Sequence, residues 1–452
     1  MPGSRQRKTS PANRPQPSTY GWPDRNPNRP VPDNEPERAF LVGVHWPGDT
    51  IALSLEFLDE LDMLAQTAGA EVVGREIAKR QKPDPATLIG KGKVAELSEM
   101  ICETRADIIV FDEDLSPAQA RNLEQGIGCR VIDRTGIILD IFAKRARTRE
   151  AKTQVELAQL RYLLPRLTRA WTHLERQQGG IGLRGPGETQ IETDRRIIRT
   201  RIRVLETELK HIEQIRRTQR AGRTEIFKFA LVGYTNVGKS TLMNVLTEAG
   251  VYEEDLLFAT LDSTTRGLAF GAHANAVITD TVGFIRKLPP ALVASFRSTL
   301  AEITEADCYL HVIDLASQSW RDQMYEVNKI LAEMGLSGRK NILIFNKIDV
   351  LDDDEPIHAA AREFPAAVFV SARNKTGIDD LLAVMRQVIT ADLLELTVPI
   401  NPTDGRLLSE LYHLTEVLDE RQNGGQLELR VRLSHAVASR LGLISQPKHS
   451  HE

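Results

Sequence analysis

The sequence of 452 residues predicts a multidomain α/β protein organised around a doubly wound sheet. Short apolar runs of strand length alternate with segments of helical spacing over most of the chain. Two heptad seams between positions 147 and 223 favour an antiparallel helical hairpin. A glycine-rich turn, Gly233–Ser240, joins a predicted strand to a predicted helix. These patterns place a small α/β domain and the hairpin before the doubly wound domain, and a small α+β domain after it.

Composition narrows the class of protein. A hydrophobic content of 41% and a charged content of 27% are ordinary for a soluble globular protein. No apolar run approaches the roughly 20 residues of a membrane span, and the N-terminus has no apolar signal core. Cys102, Cys129 and Cys308 are too widely separated for a disulfide framework or a zinc knuckle. We therefore expect a cytoplasmic protein, taken to be a monomer, without integral membrane association; peripheral membrane contact stays open.

The N-terminal part of the chain predicts a tail and a first domain. Residues 1–38 are rich in Pro, Arg, Asn and Ser and poor in aliphatic side chains, which predicts disorder. Residues 39–146 predict a small α/β domain with a largely parallel sheet. Its strands are expected at Phe40–Val44, Glu71–Val73, Asp107–Phe111 and Arg130–Ile132. The run Gly90–Lys93 opens a helix and has two interpretations, a second anion site or a tight turn.

Residues 147–223 form the predicted hairpin, whose charge favours a nucleic acid partner. Residues 144–223 hold 20 Lys and Arg against 9 Asp and Glu, a net +11 in a chain of net charge −4. Pro165 should kink or break the first helix. Five glycines and one proline between Gln178 and Thr189 predict a flexible tip, unable to form a helix or strand, that can enter a cleft in a partner. The seams comprise Leu157, Leu160, Leu164, Leu167, Trp171 and Leu174, then Ile198, Ile202, Leu205, Leu209 and Ile212.

Residues 224–390 carry the doubly wound sheet, and residues 391–452 form the small α+β domain. The predicted strands are Ile226–Val232, Ala276–Thr279, Cys308–Ile313, Asn341–Phe345 and Ala367–Val370. In the last domain we expect a short helix near Leu407–Leu414, a turn at Asn423–Gly425 and a strand at Gln426–Leu433.

The glycine-rich turn has the order that a phosphate cradle requires. It comprises Gly233, Tyr234, Thr235, Asn236, Val237, Gly238, Lys239 and Ser240. Glycines let backbone N–H groups point at phosphate oxygens, and the following helix N-terminus adds its positive dipole end. Lys239 can reach the β- and γ-phosphates, and Ser240 can bind Mg²⁺. The motif predicts a nucleoside triphosphate site without identifying the base.

Three further motifs follow predicted strands and identify the base as guanine. They comprise Asp280, Thr281, Val282 and Gly283; Asn346, Lys347, Ile348 and Asp349; and Ser371, Ala372 and Arg373. Asp280 can support Mg²⁺, and the Gly283 N–H can sense the γ-phosphate. Asp349 can accept from the N1–H and 2-amino group of guanine, which adenine lacks, and Asn346 can contact the O6/N7 edge. A backbone N–H of the third motif can bind the base O6.

With these motifs the chain resembles the HflX family of ribosome-associated GTPases. The resemblance covers nearly everything from Ala39 to the C-terminal region and depends above all on the loop Gly179–Gln190. It implies that Phe258, Ala259, Thr260, Leu261 and Asp262 form the first switch. Within that switch Thr260 would close on Mg²⁺ beside Ser240, although Thr264 and Thr265 remain alternatives. Lys239, Thr260, Gly283 and Asn236 are then the candidate catalytic residues.

The resemblance also implies a function. We expect a protein that binds GTP and GDP, associates with the 50S subunit and its rRNA, and promotes dissociation of 70S ribosomes. Three alternatives stay open: a large-subunit assembly GTPase, an RNA-remodelling NTPase whose N-terminal domain uses ATP, and a non-enzymatic scaffold that senses GTP.

Two residues modify the expected hydrolysis. Phe284 stands where Ras-like enzymes have a water-orienting Gln, which predicts slow intrinsic turnover that a bound partner accelerates. Asn236 resembles the Asn of cation-stimulated GTPases, which makes K⁺ a candidate cofactor besides Mg²⁺. An alternative is that Asn236 only stabilises the loop.

Overall fold

The computed structural model describes residues 35–167, 186–220, 226–247, 257–258, 260–270, 275–287, 302–391, 393–401, 404–423 and 426–444. The chain divides into two compact units, Met1–Arg134 and Thr135–Glu452. Positions 1–34 of the predicted tail and most of the predicted hairpin tip lie outside the described residues. Among the described helices, none combines the length and the apolar character that a bilayer crossing requires.

The first unit is an α/β domain with a wholly parallel sheet, as predicted. Its strands are β1 (Arg38–His45), β2 (Glu71–Lys79), β3 (Ile108–Phe111) and β4 (Arg130–Asp133), and its helices are α1 (Ile51–Thr67), α2 (Lys91–Thr104) and α3 (Pro117–Ile127). The strand order is β2-β1-β3-β4. The two central strands are apolar and almost fully buried, as strands covered on both faces must be. Ser116 and Gln119 form a capping box that starts α3.

Strand β2 is three times longer than the sequence predicts. The expectation was Glu71–Val73, whereas β2 runs to Lys79 and pairs with β1 along the whole of β1. The additional residues, Gly74–Lys79, include charged Arg75, Glu76 and Lys79, which interrupt the apolar pattern and are tolerated because β2 lies at the sheet edge and is only partly buried. Gly74 is required there, since a Cβ would lie 2.4 Å from the Phe40 ring.

Helix α4 (Arg134–Arg145) begins at the boundary of the two units and precedes the hairpin. The two helices of the hairpin are α5 (Arg149–Leu163) and α6 (Pro186–Arg220). The predicted seams meet in one apolar cluster, in which Leu157 and Leu160 pack with Ile198 and Leu205. Helix α5 ends two residues before Pro165, as expected for a helix breaker. The seam positions Trp171 and Leu174 lie outside the described residues.

One prediction about the hairpin tip is wrong. We expected Gln178–Thr189 to form neither helix nor strand, but α6 begins at Pro186 and includes Thr189. Proline is well tolerated in the first turn of a helix because its missing N–H has no helical partner there. The remaining tip, residues 178–185, lies outside the described residues.

The large sheet of the second unit is doubly wound, also as predicted. Its strands are β5 (Phe227–Gly233), β6 (Thr264–Ala269), β7 (Asn275–Asp280), β8 (Cys308–Asp314), β9 (Asn341–Asn346) and β10 (Val368–Phe369). The order is β10-β9-β8-β5-β7-β6, and only β6 is antiparallel. Helices α7 (Lys239–Thr247), α8 (Trp320–Glu333), α9 (Glu355–Glu363) and α10 (Ile378–Ala391) connect these strands or follow them. Strand β6 was not predicted because its Arg266 and Gly267 interrupt the apolar pattern.

A small antiparallel sheet follows, consisting of β11 (Leu394–Ile400), β12 (Glu416–Asn423) and β13 (Gln426–Leu433) in the order β11-β13-β12. The predicted helix is α11 (Gly405–Leu414), and a last helix, α12 (His435–Arg440), closes the described chain. The predicted β13 is confirmed, but β11 and β12 were missed. Pro399 lies within β11, where a missing N–H is tolerated because β11 is an edge strand.

Candidate functional site

A cavity of about 490 Å³ lies at the carboxyl ends of the strands of the large sheet. This is where ligands bind in doubly wound folds. The turn after β5, the segment after β7, the segment after β9 and the turn after β10 all contribute to its wall. The lining comprises Thr235, Asn236, Gly238, Lys239, Ser240, Thr241, Phe258, Thr260, Thr281, Gly283, Asn346, Lys347, Asp349, Val350, Ala372 and Arg373.

The turn between β5 and α7 forms a tight cradle. Gly238 has a φ of 91°, and a Cβ there would lie 2.4 Å from the Asn346 side-chain nitrogen. Lys239 folds back over the turn, donating from Nζ to the carbonyls of Gly233 (3.2 Å) and Tyr234 (2.7 Å). Burial lowers the pKa of Lys239 to about 8, although the nearby Asp280 carboxylate works in the opposite direction. The ammonium is thus held where the cradle faces the cavity.

Three side-chain oxygens meet at one side of this cradle. Ser240 Oγ and Thr260 Oγ1 donate to Asp280 Oδ2 at 2.6 and 2.9 Å, and the two hydroxyl oxygens are 2.8 Å apart. Asp280 is fully buried, which raises its pKa, and its Oδ1 has no hydrogen-bond partner among the described residues. A buried carboxylate oxygen of this kind is costly unless a cation or water satisfies it.

These oxygens fit Mg²⁺, which prefers hard oxygen ligands and keeps substrate phosphates in its coordination sphere. No cluster of three His, Cys, Asp or Glu able to hold a metal occurs in the part of the chain that the structure describes. A magnesium ion here would therefore depend on Ser240, Thr260 and phosphate oxygens, with Asp280 supporting from behind.

The position of Thr260 distinguishes it from its two rivals. Thr264 and Thr265 lie on β6, and the Thr265 hydroxyl is 2.9 Å from that of Thr279 on the neighbouring strand. Only Thr260, of these three threonines, has its hydroxyl beside Ser240 and Asp280.

The segment after β7 is fixed to the cradle by its backbone. Phe284 N–H donates to Gly233 O at 3.0 Å, and Thr235 N–H donates to Phe284 O at 2.7 Å. A Cβ on Gly283 would lie 2.8 Å from Thr235 Cγ2 and 3.0 Å from Lys239 Nζ, so only glycine fits. The Phe284 side chain is buried, with 3% of its surface exposed. An apolar ring in that position has no group that could orient a water molecule.

The segment after β9 joins the cradle to the turn after β10. Asn346 donates from Nδ2 to Val237 O at 2.8 Å, and its Oδ1 accepts from Ala372 N–H at 3.0 Å. The Asn346 amide thus bridges two loops, a positioning role that the sequence did not reveal, and its predicted contact with the base edge stays a prediction. Lys347, at φ 62°, pairs with Asp314 at the end of β8 over 2.7 Å. Asp349 lines the cavity, where a guanine acceptor is required.

The structure brings most predicted site residues to the cavity wall but not all of them. Asn236 lines it in an exposed position with φ 59°. The predicted residues that do not line it are Gly233, Tyr234, Val237, Leu261, Asp262, Asp280, Val282, Ile348 and Ser371. Ala259 lies outside the described residues. Thr241 and Val350 line the cavity without having been predicted, and each could have been found by extending a motif by one residue.

Asp262 contacts the start of the hairpin and does not line the cavity. Its carboxylate accepts from Thr148 Oγ1 and from the backbone N–H groups of Arg147 and Thr148, at the start of α5. Asp262 therefore joins its loop to the start of the hairpin, and its predicted role in nucleotide binding stays a prediction.

Family models match three successive segments of the chain. Residues 56–143 match the GTP-binding GTPase N-terminal family, residues 145–223 match the GTP-binding GTPase Middle Region, and residues 228–347 match the 50S ribosome-binding GTPase family. The last segment contains the cradle, the oxygens that fit Mg²⁺ and the first half of the Asn346–Asp349 motif.

Several curated relatives are similar over nearly their whole length. GTPase HflX of Escherichia coli (strain K12) is 45% identical over 401 residues, covering 88% of this chain and 93% of the relative. GTPase HflX of Magnetococcus marinus is 44% identical over 411 residues, covering 90% and 94%.

Solved structures show weaker similarity. A GDP complex of SsGBP has a TM-score of 0.46 at 24% identity, covering 79% of this chain and 99% of that one. A GTP-binding protein from Sulfolobus solfataricus in complex with GDP has a TM-score of 0.42 at 24% identity, covering 78% and 99%. Because identities near 45% extend over most of the chain, the assignment depends on the sequence relatives and the family models: this chain belongs to the HflX family of GTPases.

Proposed function

We propose that this GTPase binds the 50S ribosomal subunit in its GTP state, promotes dissociation of 70S ribosomes, and leaves after hydrolysis. The observation that carries the proposal is the attachment of a basic hairpin to a GTP site within one chain. The matching family description, 50S ribosome-binding GTPase, supports the same partner.

The hairpin surface suits an rRNA partner because basic side chains outnumber acidic ones and three of its glutamates pair with arginines of the facing helix. Glu156 pairs with Arg201, Glu206 with Arg161 and Glu208 with Arg149. The outer side of α6 then presents exposed Arg196, Arg199, Arg203 and Lys210. Affinity for a phosphate backbone comes from such cationic side chains and weakens as salt increases.

In this proposal Mg²⁺ is the required cofactor, held by Ser240 and Thr260 with Asp280 behind them. Lys239 holds the terminal phosphates, and the Gly283 N–H detects the γ-phosphate. Intrinsic hydrolysis is slow because Phe284 leaves the attacking water without an orienting side chain. A bound 50S subunit accelerates it.

We also propose that K⁺ stimulates hydrolysis through exposed Asn236. Equal rates in potassium and sodium buffers would contradict the role of K⁺ and leave the role of Mg²⁺ unaffected.

The direct experiment is a light-scattering assay of purified 70S ribosomes mixed with the full-length protein. With GTP or a non-hydrolysable analogue we expect the 70S signal to fall as subunits separate, and with GDP we expect no change. Deleting Gly179–Gly187 should leave nucleotide binding intact and abolish splitting. Splitting that survives this deletion would show that the tip does not act in dissociation.

The assembly-factor alternative predicts a different preference among ribosomal particles. It requires tighter binding to immature large subunits than to mature ones, which sucrose-gradient co-sedimentation distinguishes. The ATP alternative has little support in the first unit, because Lys93 of the Gly90–Lys93 run pairs with Glu76 and Glu96 at 2.7 and 2.8 Å. That contact favours the tight-turn interpretation of Gly90.

A further inference from the structure

The loop that carries Thr260 is fixed on both sides to the α4–α5 segment. Two residues before Thr260, Phe258 packs on Phe142 of α4; two residues after it, Asp262 contacts the first residues of the α5 N-terminus. Thr260 itself lies between these two contacts, beside Ser240. The loop therefore contacts both the side-chain oxygens that fit Mg²⁺ and the start of the hairpin.

The Asp262 contact is a helix cap supplied from a distant part of the chain. Its Oδ2 accepts from Arg147 N–H at 2.9 Å and from Thr148 N–H at 3.1 Å, and its Oδ1 accepts from Thr148 Oγ1 at 2.5 Å. The same Thr148 hydroxyl accepts from Ala151 N–H as the N-cap of α5. A carboxylate at a helix N-terminus satisfies N–H groups that have no helical partner and faces the positive end of the helix dipole.

The Phe258 contact holds the other side of the loop in an unfavourable backbone conformation. Phe258 has a φ of 55°, which is rare for a bulky side chain, and it is 98% buried. Its ring centroid lies 4.6 Å from that of Phe142 in an edge-on arrangement. A strained residue persists only where its surroundings determine it, and here α4 provides those surroundings.

We propose that Asp262 and Thr148 form a positioning pair that orders Thr260 for Mg²⁺ binding and thereby couples the start of α5 to GTP hydrolysis. The proposal depends on the Mg²⁺-dependent hydrolysis proposed above. Thr260 can complete the metal site only when its loop is ordered. Asp262, two positions after Thr260, is the charged residue that anchors this loop. By linkage, metal and GTP binding must stabilise the α5 N-terminus as much as the α5 N-terminus favours them.

The test measures GTP hydrolysis by the full-length protein as a function of free Mg²⁺ concentration. For Asp262→Ala we expect the half-saturating Mg²⁺ concentration to rise about fivefold, the loss of a modest charge-assisted anchor, while GDP affinity stays within about twofold. Thr148→Val should reproduce this shift, and Thr148→Ser should retain most of the wild-type Mg²⁺ dependence. The double variant should be no worse than either single variant, because the two residues act through one contact.

Thr50→Val is the matched control. Thr50 is also a threonine N-cap, accepting from Leu53 N–H at 3.1 Å at the start of α1, and it belongs to the first unit. If it shifts the Mg²⁺ dependence as Thr148→Val does, the effect is general destabilisation and the inference is wrong. The inference also fails if Asp262→Ala lowers the maximal rate without altering Mg²⁺ dependence. A wild-type protein that hydrolyses GTP without Mg²⁺ would instead remove the cofactor assignment on which the inference depends.

Amide hydrogen exchange provides a readout that does not use activity. The Arg147 and Thr148 amides donate to Asp262, so in the wild-type protein they should exchange more slowly with Mg²⁺ and a GTP analogue than with GDP. Asp262→Ala should remove this difference while leaving the rest of α5 protected. Identical exchange at these two amides in both nucleotide states would contradict the coupling.

Discussion

At position 283 the site requires glycine because there is no room for a Cβ atom. It lies where the segment after β7 meets Thr235 and the Lys239 ammonium, and a Cβ would come within 3.0 Å of both. The motif predicts that the Gly283 N–H senses the γ-phosphate, but it does not reveal this steric limit, which depends on residues about 45 positions earlier.

Gly283→Ala should impair the GTP state more than the GDP state. The added methyl must displace Thr235 or Lys239, and Lys239 is the group expected to hold the terminal phosphates. We expect GTP hydrolysis to fall at least about tenfold, equivalent to the loss of about 1.4 kcal/mol of transition-state stabilisation, with GDP affinity little changed. Gly267→Ala on β6 is the matched control, because its Cβ would meet nothing within 4 Å. Equal effects of the two substitutions on hydrolysis would contradict the steric account.

His311 on β8 is a second residue whose surroundings determine its chemistry. Burial, aided by the positive charge of Lys239, lowers the pKa of His311 to about 4, from an ordinary value near 6.5. Between these values the unfolded chain binds a proton that the folded chain does not bind. Protonation therefore favours unfolding as the pH falls, and this contribution to stability is present above pH 6.5 and lost towards pH 4.

Replacing His311 with Leu should flatten that dependence. Wild-type protein should lose about 3 kcal/mol more stability than the variant between pH 6.5 and pH 4. The measurement is the thermal unfolding of the domain that holds His311 and the nucleotide site. Its transition is recognised because added GDP raises the transition temperature of the domain that binds it. If the two proteins lose stability in parallel over this range, His311 is not buried in its neutral form.

At the scale of elements, the sequence predicted those with strong periodicity and missed those determined by their neighbours. The heptad seams predicted the contacts of Leu157 and Leu160 with Ile198 and Leu205, because each helix shows its apolar stripe directly. Strand β6 was missed because its pairing with β7, rather than its own apolar content, makes it a strand. The contact of Asp262 with Thr148 spans 114 residues, and no local pattern encodes it.

Helix α6 carries the prediction that belongs to this scale. Replacing Arg196, Arg199 and Arg203 with Gln should weaken 50S binding. If each arginine contacts a phosphate, the slope of the logarithm of the binding constant against the logarithm of salt concentration should become shallower by about two to three. GTP binding should be unaffected, since these side chains are exposed on the outer side of the hairpin. Co-sedimentation with 50S subunits across a salt series provides the measurement.

A triple variant of exposed arginines elsewhere controls for the change in net charge. Arg362, Arg386 and Arg406 lie on α9, α10 and α11, and all three are exposed. Replacing them with Gln removes the same charge from surfaces without a proposed RNA contact. Equal weakening by the two triple variants would show that total charge, rather than the α6 surface, determines binding.

At the scale of the whole molecule, the loop that carries Thr260 lies between the GTP site and the basic hairpin. The family assignment establishes the GTPase, and the geometry provides the proposed link, since Asp262 and Phe258 connect that loop to the α4–α5 segment. We expect hydrolysis to depend on a bound partner because Phe284 is buried and apolar.

GTP turnover by the full-length protein, with and without purified 50S subunits, tests this account most directly. We predict slow turnover by the free protein and stimulation of at least about a hundredfold at saturating 50S subunits. A factor of this size is expected when a partner supplies a missing group that positions the attacking water. The same preparation should dissociate 70S ribosomes in GTP and not in GDP. Turnover that is fast without subunits, or that 50S subunits leave unchanged, would contradict the claim that the ribosome controls this GTPase.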